Sequence, residues 1–172
     1  MKNYWSKISI LITAIVILYM AFNIKIWNHE HKVIEWDVIS YYAYLPAYFI
    51  YNDISLEFIK DLPSDTKCKF WPEVSPTGKF VMFMSMGAAY LYSPFFFIAN
   101  IITPYTSFPQ DGFSLPYRFA ISMGVFVYLL LALLILRKLL LKYFSDKITA
   151  ITLLILPLCT NILYYSLVEP GM

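Results

Sequence analysis

Four long stretches of this chain carry no charged residue, and three of them read as clear membrane spans bounded by charge. Ile8–Ile24 lies between Lys7 and Lys25, Phe119–Leu136 between Arg118 and Arg137, and Ile148–Val168 between Lys147 and Glu169. A helix needs about 20 mostly apolar residues to cross the hydrocarbon core of a bilayer. Each of these three is therefore predicted to span a membrane, over 8–26, 118–137 and 147–168. Composition agrees: of 172 residues, 60% are apolar or aromatic and 14% are charged, against about 25% charged in soluble domains. The net charge of +2 and the lack of a basic stripe interleaved with aromatics give no footprint for nucleic acid.

The first stretch is read as an uncleaved helix, because it exceeds a usual signal core and no small-x-small site follows Tyr19-Met20-Ala21-Phe22-Asn23. Trp5 and Trp27 are expected to anchor it at the interfaces. Between the second and third stretches, Arg137, Lys138, Lys142 and Lys147 make a short basic connection. The positive-inside rule assigns it, with Lys2 and Lys7, to the cytoplasm. Residues 27–117 then form a large external loop. Within it, 81–102 is uncharged and apolar enough to span. A segment between two external points must cross twice or not at all, and about 22 residues are too few for two crossings. It is expected to be a re-entrant or surface helix, with Gly87 and Pro94 allowing a bend; the alternative is an ordinary span with another segment inverted. Ser145-Asp146 offers an N-cap to the last span. The expected fold is thus an all-α membrane protein: three transmembrane helices plus interfacial or re-entrant helices in a large first external loop. The location follows as a cell membrane, multi-pass, with the first loop facing outside.

The external loop opens with Glu35-Trp36-Asp37-Val38-Ile39-Ser40-Tyr41-Tyr42-Ala43-Tyr44-Leu45-Pro46. At helical spacing Ile39, Tyr42, Leu45 or Pro46, and Phe49 share a face. Asp37 would start an interfacial helix, where free N–H groups and the helix dipole favour a carboxylate. It is read either as a cap in a solvated loop or as a base toward a substrate hydroxyl or amine. Lys79, after Pro76-Thr77-Gly78, is either a snorkelling residue or a point charge for a lipid phosphate. Glu169 and Arg118 reach the same external face and complete the candidate substrate-binding set, the bland reading of Glu169 being a charged helix end. Asp111-Gly112, flanked by Pro109 and Pro116, reads as a turn. His29 and His31 lack the spacing of a shared metal face, and no third ligand stands near. Cys68 and Cys159 belong to no spaced framework, and Cys159 is expected to be a small buried apolar residue.

The order of these parts resembles the GT-C glycosyltransferases, polytopic enzymes that use lipid-phosphate sugar donors. The closest similarity is to the bacterial branch like protein O-mannosyltransferases and lipid A aminoarabinose transferases. It is carried by Trp36–Ala47, by Asp111-Gly112-Phe113-Ser114-Leu115-Pro116-Tyr117, and by Thr160–Tyr165 through Glu169-Pro170-Gly171-Met172. The resemblance implies Asp37 as general base or acceptor-orienting acid, Lys79 near the donor phosphate, and Glu169 as the acid after the third span. It implies attack of an acceptor on the anomeric carbon of a polyprenyl-phosphate sugar at the outer face of a bacterial inner membrane. The partners would be membrane lipid, that donor and an acceptor of unspecified chemistry. No cofactor is implied, and participation of a divalent metal varies within the superfamily. Enzymes of this kind are several hundred residues long, so the chain is expected to be an N-terminal part of such a domain. The competing expectations are a non-catalytic multi-pass protein, such as a scaffold or a lipid-linked glycan carrier subunit, and a transporter fragment. The charge-free spans lower the last.

Overall fold

A computed structural model describes residues 3–30, 32–67 and 69–171; the sequence readings that involve Lys2, His31, Cys68 and Met172 fall outside the described residues. In chain order the helices are α1 (Trp5–Ile24), α2 (Trp36–Tyr42), α3 (Tyr44–Phe49), α4 (Ser64–Lys67), α5 (Ala89–Ile102), α6 (Leu115–Leu140), α7 (Asp146–Leu158) and α8 (Asn161–Leu167). The chain divides into two compact units, Met1–Ile26 with Ser122–Gly171, and Trp27–Ile121. Three helical runs are long and apolar enough to cross a membrane: Trp5–Asn28, Met86–Tyr105 and Leu115–Leu140. The predicted third span is the pair α7 and α8, bent by 55° at their junction: a broken span, which would make four, or a re-entrant loop.

The first unit is tied together at one end. The guanidinium of Arg137, near the end of α6, donates to Ser6 Oγ at 2.8 Å and to the Asn3 carbonyl at 3.2 Å. The carboxylate of Asp146 accepts from the backbone N–H groups of Trp5 and Ser6 at 2.9 and 3.2 Å. A helix begins with N–H groups that have no partner in the helix, and α1 has no side-chain cap of its own. Asp146 supplies that cap from another helix. Ser145 holds the N-cap position of α7 without a side-chain cap bond, so the expected local cap of the last span is not what this pair does.

From that end α1 and α7 run side by side in the same direction. The buried face of α1 is Ser6, Ser9, Thr13, Ile17 and Ala21, and that of α7 is Thr149, Ala150, Leu153 and Pro157. Small residues at this spacing let two helix backbones approach closely, the usual basis of helix association in lipid. The seam also resolves a local defect. Proline has no N–H, so Pro157 leaves the carbonyl four residues earlier without its helical donor. That carbonyl belongs to Leu153, and the Thr13 hydroxyl donates to it at 3.3 Å in a buried setting. Past Pro157 the helix stops. Thr160 Oγ1 donates to the Leu156 carbonyl at 2.7 Å and accepts from Ile162 N–H at 3.3 Å, closing α7 and capping α8 with one hydroxyl. Cys159 falls at this break and is exposed; it is not the buried apolar residue its surroundings in the sequence suggest.

The second unit is built on rings. Tyr42 is fully buried and meets Tyr92, Phe96 and Phe113 edge-on, with centroids 6.0–6.2 Å apart. Phe70 and Phe58 extend this cluster, and Tyr51 stacks on Phe58 at 4.2 Å. Of the face predicted for the opening helix, Ile39, Tyr42, Leu45 and Pro46 are buried, whereas Phe49 is 47% exposed. Trp27 also departs from expectation: it is buried, with Phe119 edge-on at 5.1 Å, and does not stand free as an interfacial anchor. The stretch expected to bend at Gly87 and Pro94 is continuous helix from Ala89 to Ile102, flanked by 3-10 turns at Met86–Ala88 and Thr103–Tyr105. Its prolines are accommodated as in the first unit. Ser93 Oγ donates at 2.8 Å to the Tyr90 carbonyl that Pro94 leaves free, and Gln110 Nε2 donates at 3.2 Å to the Asn100 carbonyl that Pro104 leaves free. A small antiparallel hairpin, β1 (Glu73–Val74) and β2 (Phe80–Val81), adds strand to the expected all-helical fold. Its turn contains Pro76 and Gly78, the latter at φ +79, a conformation natural to glycine.

The Thr13–Pro157 arrangement gives a sharp expectation. Thr13→Val keeps the shape, removes the donor and should lower stability in detergent micelles by about 1–2 kcal/mol. In a Pro157→Ala background the restored N–H at position 157 can serve Leu153, so the same substitution should cost close to nothing. Equal costs in both backgrounds, measured by denaturant titration, would show that the hydroxyl does not replace the missing donor.

Candidate functional site

Asp37 is the second residue of α2 and is exposed. The chain reaches it through a tight approach: Val33 at φ +72 and Trp36 at φ +50 both adopt left-handed backbone. For a β-branched residue this is a conformational outlier that surrounding structure must enforce. Packing supplies the enforcement, since Val33, Ile34, Val38 and Ile39 are each 5% exposed or less. Lys69 contributes from the distant chain by donating to the Glu30 carbonyl and standing 3.9 Å from the Glu35 carboxylate. The result lifts Trp36 and Asp37 outward while α2 buries its other face.

Beside Asp37 the Trp36 ring meets Trp71 at 5.3 Å and 65°, and both indoles remain more than half exposed. An exposed carboxylate thus follows, in the sequence, one member of an exposed pair of large rings. Such a surface can accept a proton from a hydroxyl and offer flat apolar faces to a ring-shaped substrate.

The other three candidates lie on other elements of the chain. Lys79 is exposed in the hairpin turn, with its backbone N–H donating to Ser75 Oγ at 3.2 Å. Arg118 is buried and lines a pocket of about 210 Å³ with Glu30, Lys69, Asp111 and Ser114, which neither Asp37 nor Lys79 lines. Two cations and two carboxylates make that pocket close to neutral. Glu169 belongs to the first unit and accepts a hydrogen bond from the Tyr164 hydroxyl at 3.0 Å. His29 is exposed, and among the described residues no group of three or more His, Cys, Asp or Glu side chains converges as a metal site would.

The Asp111-Gly112 turn does more than reverse the chain. Asp111 Oδ1 accepts from Phe113 and Ser114 N–H, both at 2.8 Å, and so prepares the start of α6. Its carbonyl accepts from Tyr51, and the Gly112 carbonyl accepts from the buried Tyr42 hydroxyl at 2.6 Å. Gly112 has φ +84, and a Cβ there would stand 2.6 Å from Pro46 Cβ, so the close approach requires glycine. Burial, with Tyr117 and Asp111 nearby, holds the Tyr42 hydroxyl well above the ordinary tyrosine range. Burial and Asp111 push Tyr51 up to about 12. These phenols therefore stay protonated as donors. Neither Trp71 nor Lys69 is marked by the sequence as part of the Asp37 surface; a Trp in a polar, Lys-rich loop is the one available signal.

Comparison of the chain with protein-family models, curated proteins and solved structures finds no match.

Two measurements follow from the tyrosines. Tyr42→Phe should cost about 1–3 kcal/mol in thermal or denaturant unfolding, because it removes one buried hydrogen bond and strands the Gly112 carbonyl. Since Tyr51 rises from 10.0 to about 12 on folding, the folded state binds the proton more tightly. Its contribution is present below pH 10 and is lost as pH rises toward 12. Tyrosinate absorbance should accordingly show a late-ionising class that appears together with loss of structure.

Proposed function

We propose that this chain is a multi-pass membrane glycosyltransferase of the GT-C type, or a part of one. It would move a sugar from a polyprenyl-phosphate donor to an acceptor at the outer face of the membrane. The observation that carries the reading is the Asp37 surface: an exposed carboxylate at a helix start, held outward by strained backbone beside the Trp36–Trp71 pair. In this reading Asp37 takes the proton from the acceptor as its oxygen or nitrogen attacks the anomeric carbon. The lipid phosphate leaves with the bonding electron pair. Lys79 stands by for that phosphate, and Arg118 can meet substrate only through its pocket.

Topology supports one face for this chemistry. The Arg137–Ser6 and Asp146–Trp5 bonds bring the start of α1, the end of α6 and the start of α7 to one end of the first unit. If α1 and α6 both cross, they cross in opposite directions, so the chain between them leaves and returns on one side. Lys7, Arg137, Lys138, Lys142 and Lys147 gather at the shared end, which the positive-inside rule makes cytoplasmic. The chain from Trp27 to α6 is then external. The run Met86–Tyr105, 20 residues long, is too short to cross twice, which favours a re-entrant or interfacial helix. Running parallel to α1, α7 leads with α8 toward Glu169 on that same side.

A second reading, a non-catalytic scaffold or glycan carrier subunit, draws on how charge is used. Glu169 is engaged by Tyr164, and Lys69 by Glu30 and Glu35, as in a structural network.

The two readings part at Asp37. In membranes containing the longest protein encoded by the reading frame, Asp37→Asn should lower transfer of labelled sugar from a polyprenyl-phosphate donor by about 10²–10⁴-fold, the usual loss of a general base. Protein level and Trp fluorescence should be unchanged. Transfer at the original rate would remove Asp37 from the chemistry.

A further inference from the structure

An apolar groove of about 400 Å³ runs between α3 and the start of α5 in the second unit, lined among others by Tyr48, Phe49, Ile54, Met86, Tyr90 and Phe97. We infer that this groove holds one acyl chain of a bilayer phospholipid from the outer leaflet. The inference rests on the one-sided topology proposed above and not on sugar transfer.

Three observations select that occupant. The first is the state of the polar atoms around the groove. Tyr44 donates its hydroxyl to the Met84 carbonyl at 2.8 Å, and Ser93 donates to the Tyr90 carbonyl within its own helix. Both face inward to backbone partners, which leaves carbon as the main lining. A polar ligand or peptide backbone would lose its water there without replacement, whereas an acyl chain has no hydrogen bonds to lose. The second is the rest of α5. Leu91, Ile98, Ile101 and Ile102 are each more than half exposed. An uncharged helix that is apolar on both the groove side and the open side suits hydrocarbon surroundings. The third is position. Given the one-sided topology proposed above, a helix that starts and ends on the outer side meets chiefly the chains of outer-leaflet lipids. Tyr48 and Tyr90, 54% and 70% exposed, suit the headgroup boundary, where tyrosine keeps its ring in the apolar layer and its hydroxyl in water. The volume lies within the ordinary range of ligand pockets, about 300–1,000 Å³, and an open trough suits a flexible chain.

The test uses the full chain in phosphatidylethanolamine–phosphatidylglycerol vesicles. These are doped with a phosphatidylcholine that carries a photoactivatable group in the upper part of one acyl chain, close to the glycerol. After illumination, labelled peptides are mapped by mass spectrometry. Label should concentrate on Tyr48, Tyr90 and Phe97. Met86→Trp, which narrows the groove at a half-exposed position, should reduce it at least five-fold. Tyr48→Ala, which widens the groove, should keep or raise labelling at Phe97. Ile101→Trp, on the open side of α5, should change nothing. Equal labelling of groove and Ile101, or equal effects of Met86→Trp and Ile101→Trp, overturns the inference in favour of ordinary lipid contact. Displacement of the label by polyprenyl phosphate, but not by the same amount of added phospholipid, overturns the acyl chain in favour of an isoprenoid.

A separate arm checks the topology. Single cysteines are placed at Asn52 and Ser107 after Cys68 and Cys159 are changed to Ser. Both should react with an impermeant thiol reagent from the same side. Reaction from opposite sides overturns the one-sided topology, and the groove inference with it. Reaction from one side with unselective lipid labelling overturns the groove inference alone.

Discussion

The bonds that Arg137 and Asp146 make to the first residues of α1 are the constraint on which the rest of the molecule depends. The first turn of α1 carries N–H groups that no residue of its own helix can satisfy. Asp146 takes two of them, and Arg137 takes the adjacent Ser6 hydroxyl and Asn3 carbonyl. A cap drawn from the start of α7 fixes the register of the α1–α7 seam, because it aligns the two helix beginnings. That register brings Thr13 opposite Leu153 eight and seven residues further on, within reach of the carbonyl that Pro157 orphans. A slip of one residue would part the Thr13 hydroxyl from that carbonyl and leave both unmet in a buried seam, which costs more than the bond contributes.

The same requirement recurs at two prolines of the second unit. Pro94 and Pro104 each free a carbonyl, and Ser93 and Gln110 fill in. The three repairs differ in what they hold. Ser93 acts within its own turn and permits α5 to continue unbroken. Gln110 reaches back across the turn that follows α5, also bonding Asn100 Oδ1 at 2.9 Å, and so ties that turn to the helix end. Thr13 acts between helices and joins the seam to the bend. Proline alone does not decide between a straight and a broken helix. After Pro157 the helix has Thr160 available to cap a new start, and it breaks there; after Pro94 no such cap stands nearby, and α5 runs on.

This difference marks what was legible in the sequence. The charge-free stretches gave away their helices because hydrophobic length is a local property, and the start of α2 at Trp36-Asp37 was legible for the same reason. Met86–Tyr105 was legible as apolar but not as straight, since the sequence shows Gly87 and Pro94 without showing the Ser93 hydroxyl turned to Tyr90. The last segment read as one span because the composition of 147–168 hides a bend that depends on a single hydroxyl. Longer-range features were closed to such reading. Asp146 looked like the cap of its own helix, and the N–H groups it serves lie about 140 residues away in the chain. Trp27 looked like an anchor, and Phe119, which packs on it edge-on, is also remote in the chain. Trp71, which completes the surface beside Asp37, has no local signature that separates it from any exposed aromatic.

The separation of Asp37 from the buried polar network has a physical logic. The Asp111–Gly112 turn, Tyr42 and Tyr51 satisfy one another in a setting where burial keeps the phenols protonated. A network of that kind fixes geometry because every member has a partner, and each member is poorly suited to exchange protons with a substrate. Asp37 is the opposite case: a carboxylate at the surface, at a helix start, on backbone that Val33 and Trp36 hold in costly conformations. Strain of this kind persists only when the packed parts outweigh it. The buried face of α2 and the Lys69 contacts provide that excess, and what they secure is the outward position of Trp36 and Asp37. Lys69 offers a way to separate the two roles, because Lys69→Met removes the contacts to the Glu30 carbonyl and the Glu35 carboxylate while Trp36 and Asp37 stay in place. If those contacts exist to present the carboxylate, turnover should fall with Asp37 untouched; if Asp37 is an ordinary helix cap, the substitution should lower stability alone, and that difference is what separates a positioned base from a cap.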